Sequence, residues 1–557
     1  MSRRCAEIET AAPWQSAATI GRGTVARHGS PAQGSEQVRT AELIAALCLA
    51  TDLGMAFPFE HGLHTTLIAM RLASKLGIDR QSASQTYYAC LLSHASCTTE
   101  AHVAAEVFGG SLTTNFNPVM HGSGREILTG MLRVLPDPGS PALVRAVQTA
   151  RRLPRMAREL RPALTAACEV AGMLAEQVGA PPSVPGLLAH LTERWDGKGP
   201  LRRAKGEQIP LPMRIVHVAT DAAFQRLLGG VDHAVRLTRE RADHAFDPEV
   251  AACVVAEGRE ILALDESASA WEAVLALEPP PPLVLEAEAI DRALAAMGNF
   301  ADLISPYLAG HSVGVAELAA AAAQHCGIDA VGVTAIRRAG LVHDLGRVAV
   351  HPRIWQKPGP LSADEWEQVR LHPYHTERVL SRSAFLAALA PIAGLHHERL
   401  DSSGYHRGCA GAALTMPARV LAAADAYHAM TEPRPARQAL APEQAAKTLG
   451  QEASPGRLDP DAVAAVLKAA GQRVPRLERP AGLTEREAEV IGMLARGLQT
   501  KQVARALGIS IKTADRHIQN AYGKLGVSTR AAAALFAMEH GLIAWGELPI
   551  GRPKARS

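Results

Sequence analysis

Aromatic residues are scarce in this chain of 557 residues, where Phe, Trp and Tyr together make up 4%. Sandwich and barrel cores draw on aromatic and β-branched side chains, so this shortage, set beside abundant Ala, favours helices packed through Ala, Leu and Val. The eight cysteines (Cys5, Cys48, Cys90, Cys97, Cys168, Cys253, Cys326 and Cys409) form no CxxC pair and read as reduced packing residues of a cytosolic protein. No run of about eighteen apolar residues occurs, which argues against a membrane-spanning helix. The opening MSRRCAEIETAAPW carries acidic residues where a signal peptide needs an apolar stretch, so a soluble cytoplasmic protein is expected. Its length allows about three or four domains.

The organisation expected from composition is a disordered Gly/Ala/Ser/Thr-rich tail over 1–38, a helical block over 39–275 and a proline-rich linker over 276–286. A second helical block then covers 287–472, a compact module 479–545 and a basic tail 546–557. The fold class expected is all-α.

The compact module reads as four helices. Thr484 followed by Glu487 is a capping box, and apolar residues then recur at helical spacing to about Arg496, with Gly497 as the stop. A second short helix covers about Gln499 to Leu507, Gly508 supplies a turn, and Ser510 caps a third helix. That third helix places Lys512, Thr513, Arg516, His517, Gln519, Asn520 and Lys524 on a polar face, with Ile511, Ala514, Ile518, Ala521 and Leu525 opposite. Arg, Gln and Asn can meet base edges in a major groove while Lys and Thr contact phosphate, so Lys501, Lys512, Thr513, Arg516, His517, Gln519 and Asn520 are the candidate DNA contacts. From Gly471 onward there are fourteen Lys/Arg against seven Asp/Glu, whereas the whole chain nets +3, so the preceding residues sum to −4. The basic footprint lies where the recognition helix lies. The segment LTEREAEVIGMLARGLQTKQVARALGISIKTADRHIQNAYGKLGVSTRAAAALFAMEHGLI resembles the LuxR/FixJ-type helix-turn-helix along its length. That resemblance implies double-stranded DNA as partner and a homodimer on two half-sites.

Between Ile290 and Ala470, His311, His343, Asp344, His372, His396, His397 and Asp425 fall on or beside apolar helical runs. An unpaired acid is costly to bury there, and a metal removes that cost. Mixed imidazole and carboxylate donors suit Fe, Mn or Zn better than Ca or Mg, and seven ligands exceed what one tetrahedral ion needs. Two divalent transition-metal ions, Fe or Mn ahead of Zn, with Asp344 as the bridge, are the economical arrangement. The stretches AGHSVGVAELA, LVHDLGRVAVHPRIWQKPGPLSADEWEQVRLHP, HHERLDSSGY and RVLAAADAYHAMTEPRPAR resemble, in order, the HD phosphohydrolase superfamily and within it the HD-GYP phosphodiesterases. The resemblance implies metal-assisted hydrolysis of a cyclic dinucleotide, typically cyclic di-GMP. It gives His343, Asp344 and Arg347 catalytic places and makes Arg434 and Arg437 contacts to substrate. Four positions depart from the pattern: Tyr307 in place of a glutamate found in some members, Arg347 in place of lysine, His406 in place of the proline of GYP, and His428 in place of a further aspartate. Tyr307 favours a two-metal over a three-metal site.

The first block repeats the second. A shift of 250 aligns EHGLHTTLIAMRLASKLGID with GHSVGVAELAAAAAQHCGID, and a shift of 205 aligns ERWDGKGPLRRAKGEQIPLPMRIVHVATDA with ERLDSSGYHRGCAGAALTMPARVLAAADAY. Asp196, Gly197, Gly199 and Arg214 are retained, whereas His343-Asp344 becomes Ser93-His94, His396-His397 becomes Leu191-Thr192 and Asp425 becomes Thr220. The change of shift places an insertion of 45 residues between about Gly109 and Arg161. The first copy is therefore expected to lack the metal centre and to serve as a sensor or a packing partner.

Three functions remain open on the sequence. One is a transcription regulator whose tandem HD region binds, and in one version hydrolyses, a cyclic dinucleotide or other phosphorylated ligand. Another is an active phosphodiesterase localised or sensed through its DNA-binding end, and the third is a catalytically dead scaffold that dimerises the DNA-binding module.

Overall fold

The computed structural model describes residues 36–95, 98, 107–108, 119–265, 268–454, 456–474, 480–540 and 542. The tails expected to be disordered, Cys5 and Cys97 lie outside them. Among the described residues the architecture is helical, with one pair of short antiparallel strands, β1 (Gln37–Arg39) and β2 (Val284–Glu286). The chain divides into two compact units, 1–306 with 348–356, and 307–347 with 357–557. No helix among the described residues is long and apolar enough to cross a membrane.

In the first unit α1 (Thr40–Gly54), α2 (His61–Lys75), α3 (Arg80–Leu91), α4 (Gly124–Val134), α5 (Ala142–Gln177), α6 (Leu211–Arg241), α7 (Pro248–Ile261) and α8 (Ala287–Asp302) follow in order. The core is Ala- and Leu-rich, as the shortage of aromatics predicts, with Tyr87 and Tyr88 among its few large rings. Tyr88 donates to Glu278, which also pairs with Arg39, and Leu283 N–H bonds the same carboxylate at 3.1 Å. The proline run read as a linker is therefore fixed in place, because β2 follows it directly and the register of Val38 opposite Leu285 ties both ends of the first block together. Residues of the expected insertion form α4 and the start of α5, with a satellite core of Val107, Leu135 and Met156.

The second unit contains α9 (His311–His325), α10 (Ala330–Val342), α11 (His372–Leu380), α12 (Met416–Thr431), α13 (Pro442–Ala453) and α14 (Pro460–Ala469). The helix-turn-helix follows as α15 (Glu485–Ala495), α16 (Thr500–Ala506), α17 (Ile511–Leu525) and α18 (Arg530–Glu539). Its core gathers Val490, Ile491, Leu494, Val503, Ala514, Ile518 and Ala521.

Outside the insertion the two copies share matched helices. α2 and α9 each have fifteen residues and start 250 positions apart, after Glu60 and Gly310, both left-handed at φ 75° and 81°. Asp79 and Asp329 then cap α3 and α10 through Ser82 N–H and Gly332 N–H. α6 and α12 start 205 positions apart, and near each start an arginine bonds the aspartate that caps a later helix: Arg214 to Asp247 at 2.7 Å, Arg419 to Asp459 at 2.9 Å. Arg419 also donates to the carbonyls of Leu414 and Gly411, so its charge is fully employed in a dry setting. Removing one partner of such a pair leaves an uncompensated buried charge. Asp459→Ala should therefore cost about 3–5 kcal/mol, read as a lower urea midpoint for the second unit.

Candidate metal centre and helix-turn-helix

The centre is assembled from helix ends. α9 delivers His311 at its first position, α10 ends where His343 and Asp344 begin, α11 opens on His372, and α12 carries Asp425. The turn after Asp344 is held by Thr376, whose hydroxyl donates to His343 carbonyl and accepts from Gly346 N–H, both at 2.9 Å. Gly346 is required, since a Cβ there would stand 2.1 Å from the carbonyl oxygen of His372.

Six of the seven residues singled out as ligands, His397 excepted, are 0–2% exposed, and the side chain of His397 is 14% exposed. They come together as two groups: His311, His343, Asp344 and Asp425 in one, His372, His396 and His397 in the other. Asp344 joins them. Its Oδ2 lies 2.9 Å from Nε2 of His343 and 3.4 Å from Nε2 of His311, while Oδ1 lies 3.2 Å from His372 and 3.4 Å from His396. Asp425 approaches His311 at 3.2 Å through Oδ1 and His397 at 3.7 Å through Oδ2.

The imidazoles are oriented from behind. His343 Nδ1 faces the carbonyl of Gly340 at 2.7 Å, His372 that of Val369 at 2.6 Å and His396 that of Ala393 at 2.6 Å. With Nδ1–H donated to a carbonyl, Nε2 is the atom that points inward, and once free of a proton it offers the lone pair a metal ligand needs. Nitrogen and carboxylate donors, convergent and already oriented, fit divalent metal ions.

Charge is unevenly distributed over the two groups. Burial opposes protonation of His311 and His343, yet their bonds to Asp344 and Asp425 raise them to about 10 and about 9. Burial also penalises both carboxylates, but Arg347 and the imidazoles hold Asp344 well below the ordinary range, and His311 and His343 do the same for Asp425. Burial lowers His372 to about 4 and His397 well below its usual value, so these two rings are neutral at neutral pH.

The remaining expected site residues separate. Arg347 NH2 lies 2.7 Å from Asp344 Oδ2 and 3.4 Å from His311 Nε2, inside the cluster. Arg434 bonds the carbonyl of Tyr307 and the carboxylate of Glu432, both at 2.8 Å. Arg437 turns back onto the carbonyls of Met430, Glu432, Gln438 and Ala429 at the end of α12, which gives it a capping task. Tyr405 stacks on His397 with ring centroids 4.3 Å apart, and Arg370 lies over the same ring. Sequence reasoning missed Glu432, whose Oε2 is 2.8 Å from His311 Nδ1 and whose Oε1 is 3.2 Å from His428.

The first copy has a cavity of about 100 Å³ lined by Phe57, His61, His94, His121, Thr220, Asp221 and Phe224. Asp221, one place from the lost ligand, is bonded by Arg241 at 2.5 and 2.6 Å. Burial lowers His61 to about 3 and His94 to about 4. Neutral rings and an arginine-paired acid stand where the second copy gathers its donors.

On α17, Lys512, Arg516, Gln519 and Asn520 are exposed and Thr513 and His517 half-buried on one face, and Lys501 on α16 is exposed. Ser510 caps α17 through Thr513 N–H at 3.1 Å. Two expectations change. Ile511, placed on the apolar face, is 53% exposed because it sits in the first turn, ahead of the packed stretch. Lys524 pairs with Glu487 at 2.6 Å, within the capping box of α15.

Comparison with known proteins agrees with this division. The family described as HD domain matches residues 290–462, and that described as bacterial regulatory proteins, luxR family, matches 481–537. The 3'3'-cGAMP-specific phosphodiesterase 3 of Vibrio cholerae serotype O1 is 27% identical over 445 residues, 77% of this chain and 94% of that protein. The cyclic di-GMP phosphodiesterase response regulator RpfG of Xanthomonas campestris pv. campestris is 35% identical over 161 residues, 28% of this chain and 42% of that protein. A crystal structure of a cyclic GMP-AMP specific phosphodiesterase of V. cholerae, V-cGAP3, superposes with a TM-score of 0.54 at 24% identity, covering 78% of this chain and 98% of that one, and shares the fold.

If cations fill the centre, they displace the protons that His311 and His343 hold, since folded-state values of about 10 and about 9 leave both rings charged at neutral pH. Apparent metal affinity should rise with pH until about 10, with proton release on binding, measured by calorimetry in buffers of different ionisation enthalpy. Affinity independent of pH would contradict this charge distribution. The chain thus joins an HD domain, with HD-GYP-type phosphodiesterases among its relatives, to a C-terminal helix-turn-helix domain of the luxR family of bacterial regulatory proteins.

Proposed function

We propose that this protein is a DNA-binding transcription regulator whose second HD copy binds and hydrolyses a cyclic dinucleotide at a dinuclear metal site. The observation that carries the reading is the placing of Asp344, one oxygen toward each group of imidazoles. A pair of divalent cations bound there supplies Lewis-acid activation of water and neutralises charge on a phosphodiester. His311, His343, Asp344, His372, His396, His397 and Asp425 hold the pair, with Fe or Mn ahead of Zn on donor type. Arg347 and Arg434 bring guanidinium groups to a phosphate, and Tyr405 offers a ring against which a base can stack. Relatives named for 3'3'-cGAMP and cyclic di-GMP support a cyclic dinucleotide as the substrate class.

A second reading, ligand sensing without turnover, draws on Arg347, whose guanidinium already engages the bridging aspartate. Elemental analysis of anaerobically purified protein, followed by incubation with 3'3'-cGAMP and cyclic di-GMP, separates the two. About two equivalents of iron or manganese with a linear product is the result expected of an enzyme. Asp344→Ala should then lose turnover by several orders of magnitude while DNA binding by the C-terminal domain persists. Metal without product favours the sensor, and neither metal nor product leaves the scaffold.

For the DNA end, the exposed face of α17 is read as the recognition surface of a homodimer bound to two half-sites. Arg516→Ala should cost about 1–3 kcal/mol and relax base preference, whereas Lys501→Ala should weaken all sequences alike and reduce the salt slope by about 1. Parent-like binding by both variants in fluorescence anisotropy would remove α17 from the groove. Exposed Ile511 adds an apolar contact suited to a thymine methyl.

A further inference from the structure

His311 differs from the other oriented histidines of the centre in how its ring is held. His343, His372 and His396 each bond the carbonyl three residues earlier. His311 is the first residue of α9 and follows left-handed Gly310, after the short 3-10 turn Pro306–Leu308. Its Nδ1 is met instead by Glu432, the residue that ends α12, at 2.8 Å. The same carboxylate reaches His428 at 3.2 Å and Arg434 at 2.8 Å.

From this geometry we infer that Glu432 is a positioning residue that fixes the tautomer and aim of His311 toward the metal and links that ligand to Arg434. The inference rests on the dinuclear reading above. Glu432 thereby supplies beside His311 the acid that Tyr307 and His428, one helical turn before His311 and one before Glu432, do not provide. In the first copy His61 stands at the matching helix start, with its Nε2 buried and without a hydrogen-bond partner.

The test compares Glu432→Gln, which keeps an acceptor for Nδ1–H, with Glu432→Met, which keeps the bulk and removes it. Manganese affinity of the full chain, measured by chelator competition, should fall about 10- to 100-fold in Glu432→Met and stay near the parent in Glu432→Gln. Only one of two binding steps should change, and circular dichroism without metal should show both variants folded. Affinity in Glu432→Met equal to the parent, or an equal loss in both variants, would overturn the inference. A parent that binds no manganese would instead overturn the dinuclear reading itself. Should Glu432→Met fail to fold, the cobalt-loaded spectrum of Glu432→Gln decides: a ligand-field spectrum like the parent supports orientation by an acceptor, and an altered one excludes it.

Discussion

Two buried carboxylates, Asp344 and Asp425, govern the second HD copy. Both are nearly or fully sealed from water, and isolated anions in such a place are expensive. Everything around them answers that charge. Helix ends bring imidazoles with oriented Nε2 atoms, Arg347 lays its guanidinium against Asp344, and Thr376 with Gly346 closes the turn that holds Asp344 in place. Without cations, His311 and His343 carry protons. The geometry is thus arranged for positive charge, whichever form it takes.

The paired copies show two solutions on one scaffold. Both keep the same helix starts, the same capping aspartates and the same buried arginine–aspartate pair, so these features hold the fold. In the first copy the acid near the old centre is matched internally by Arg241, and aromatic rings with neutral imidazoles fill the surroundings. Fold and donor set are therefore separable. Loss of the donors left a packed domain because the scaffold interactions lie elsewhere.

Much of this was legible in the sequence because it is periodic or local. The capping box at Thr484, the cap at Ser510 and the matched starts of α2 and α9 depend on residues a few positions apart. The seven donors were visible because polar residues interrupt apolar helical runs. Other features were hidden for physical reasons. Glu432 lies at a helix end, and its value arises only when α12 meets the start of α9, more than a hundred residues away in sequence. Arg437, a substrate contact by resemblance, bonds carbonyls at the end of α12, a placement set by tertiary structure and not by its local sequence. Ile511 fits the apolar period but precedes the packed turns. The proline run suggested a linker because composition cannot reveal that β2, just beyond it, pairs with β1.

The segment 348–356 belongs to the first compact unit although it directly follows the HDLGR turn of the second copy. Arg353 within it bonds the carbonyl of Phe108 at 2.6 Å and approaches Asp137 at 3.4 Å, and Asp137 is itself clasped by Arg152 at 2.9 Å. The duplicated halves are therefore interlaced along the polypeptide rather than strung in series. A break at the prolines would part β2 from β1 and Arg353 from its partners at once, so the first unit draws on chain from both sides of them.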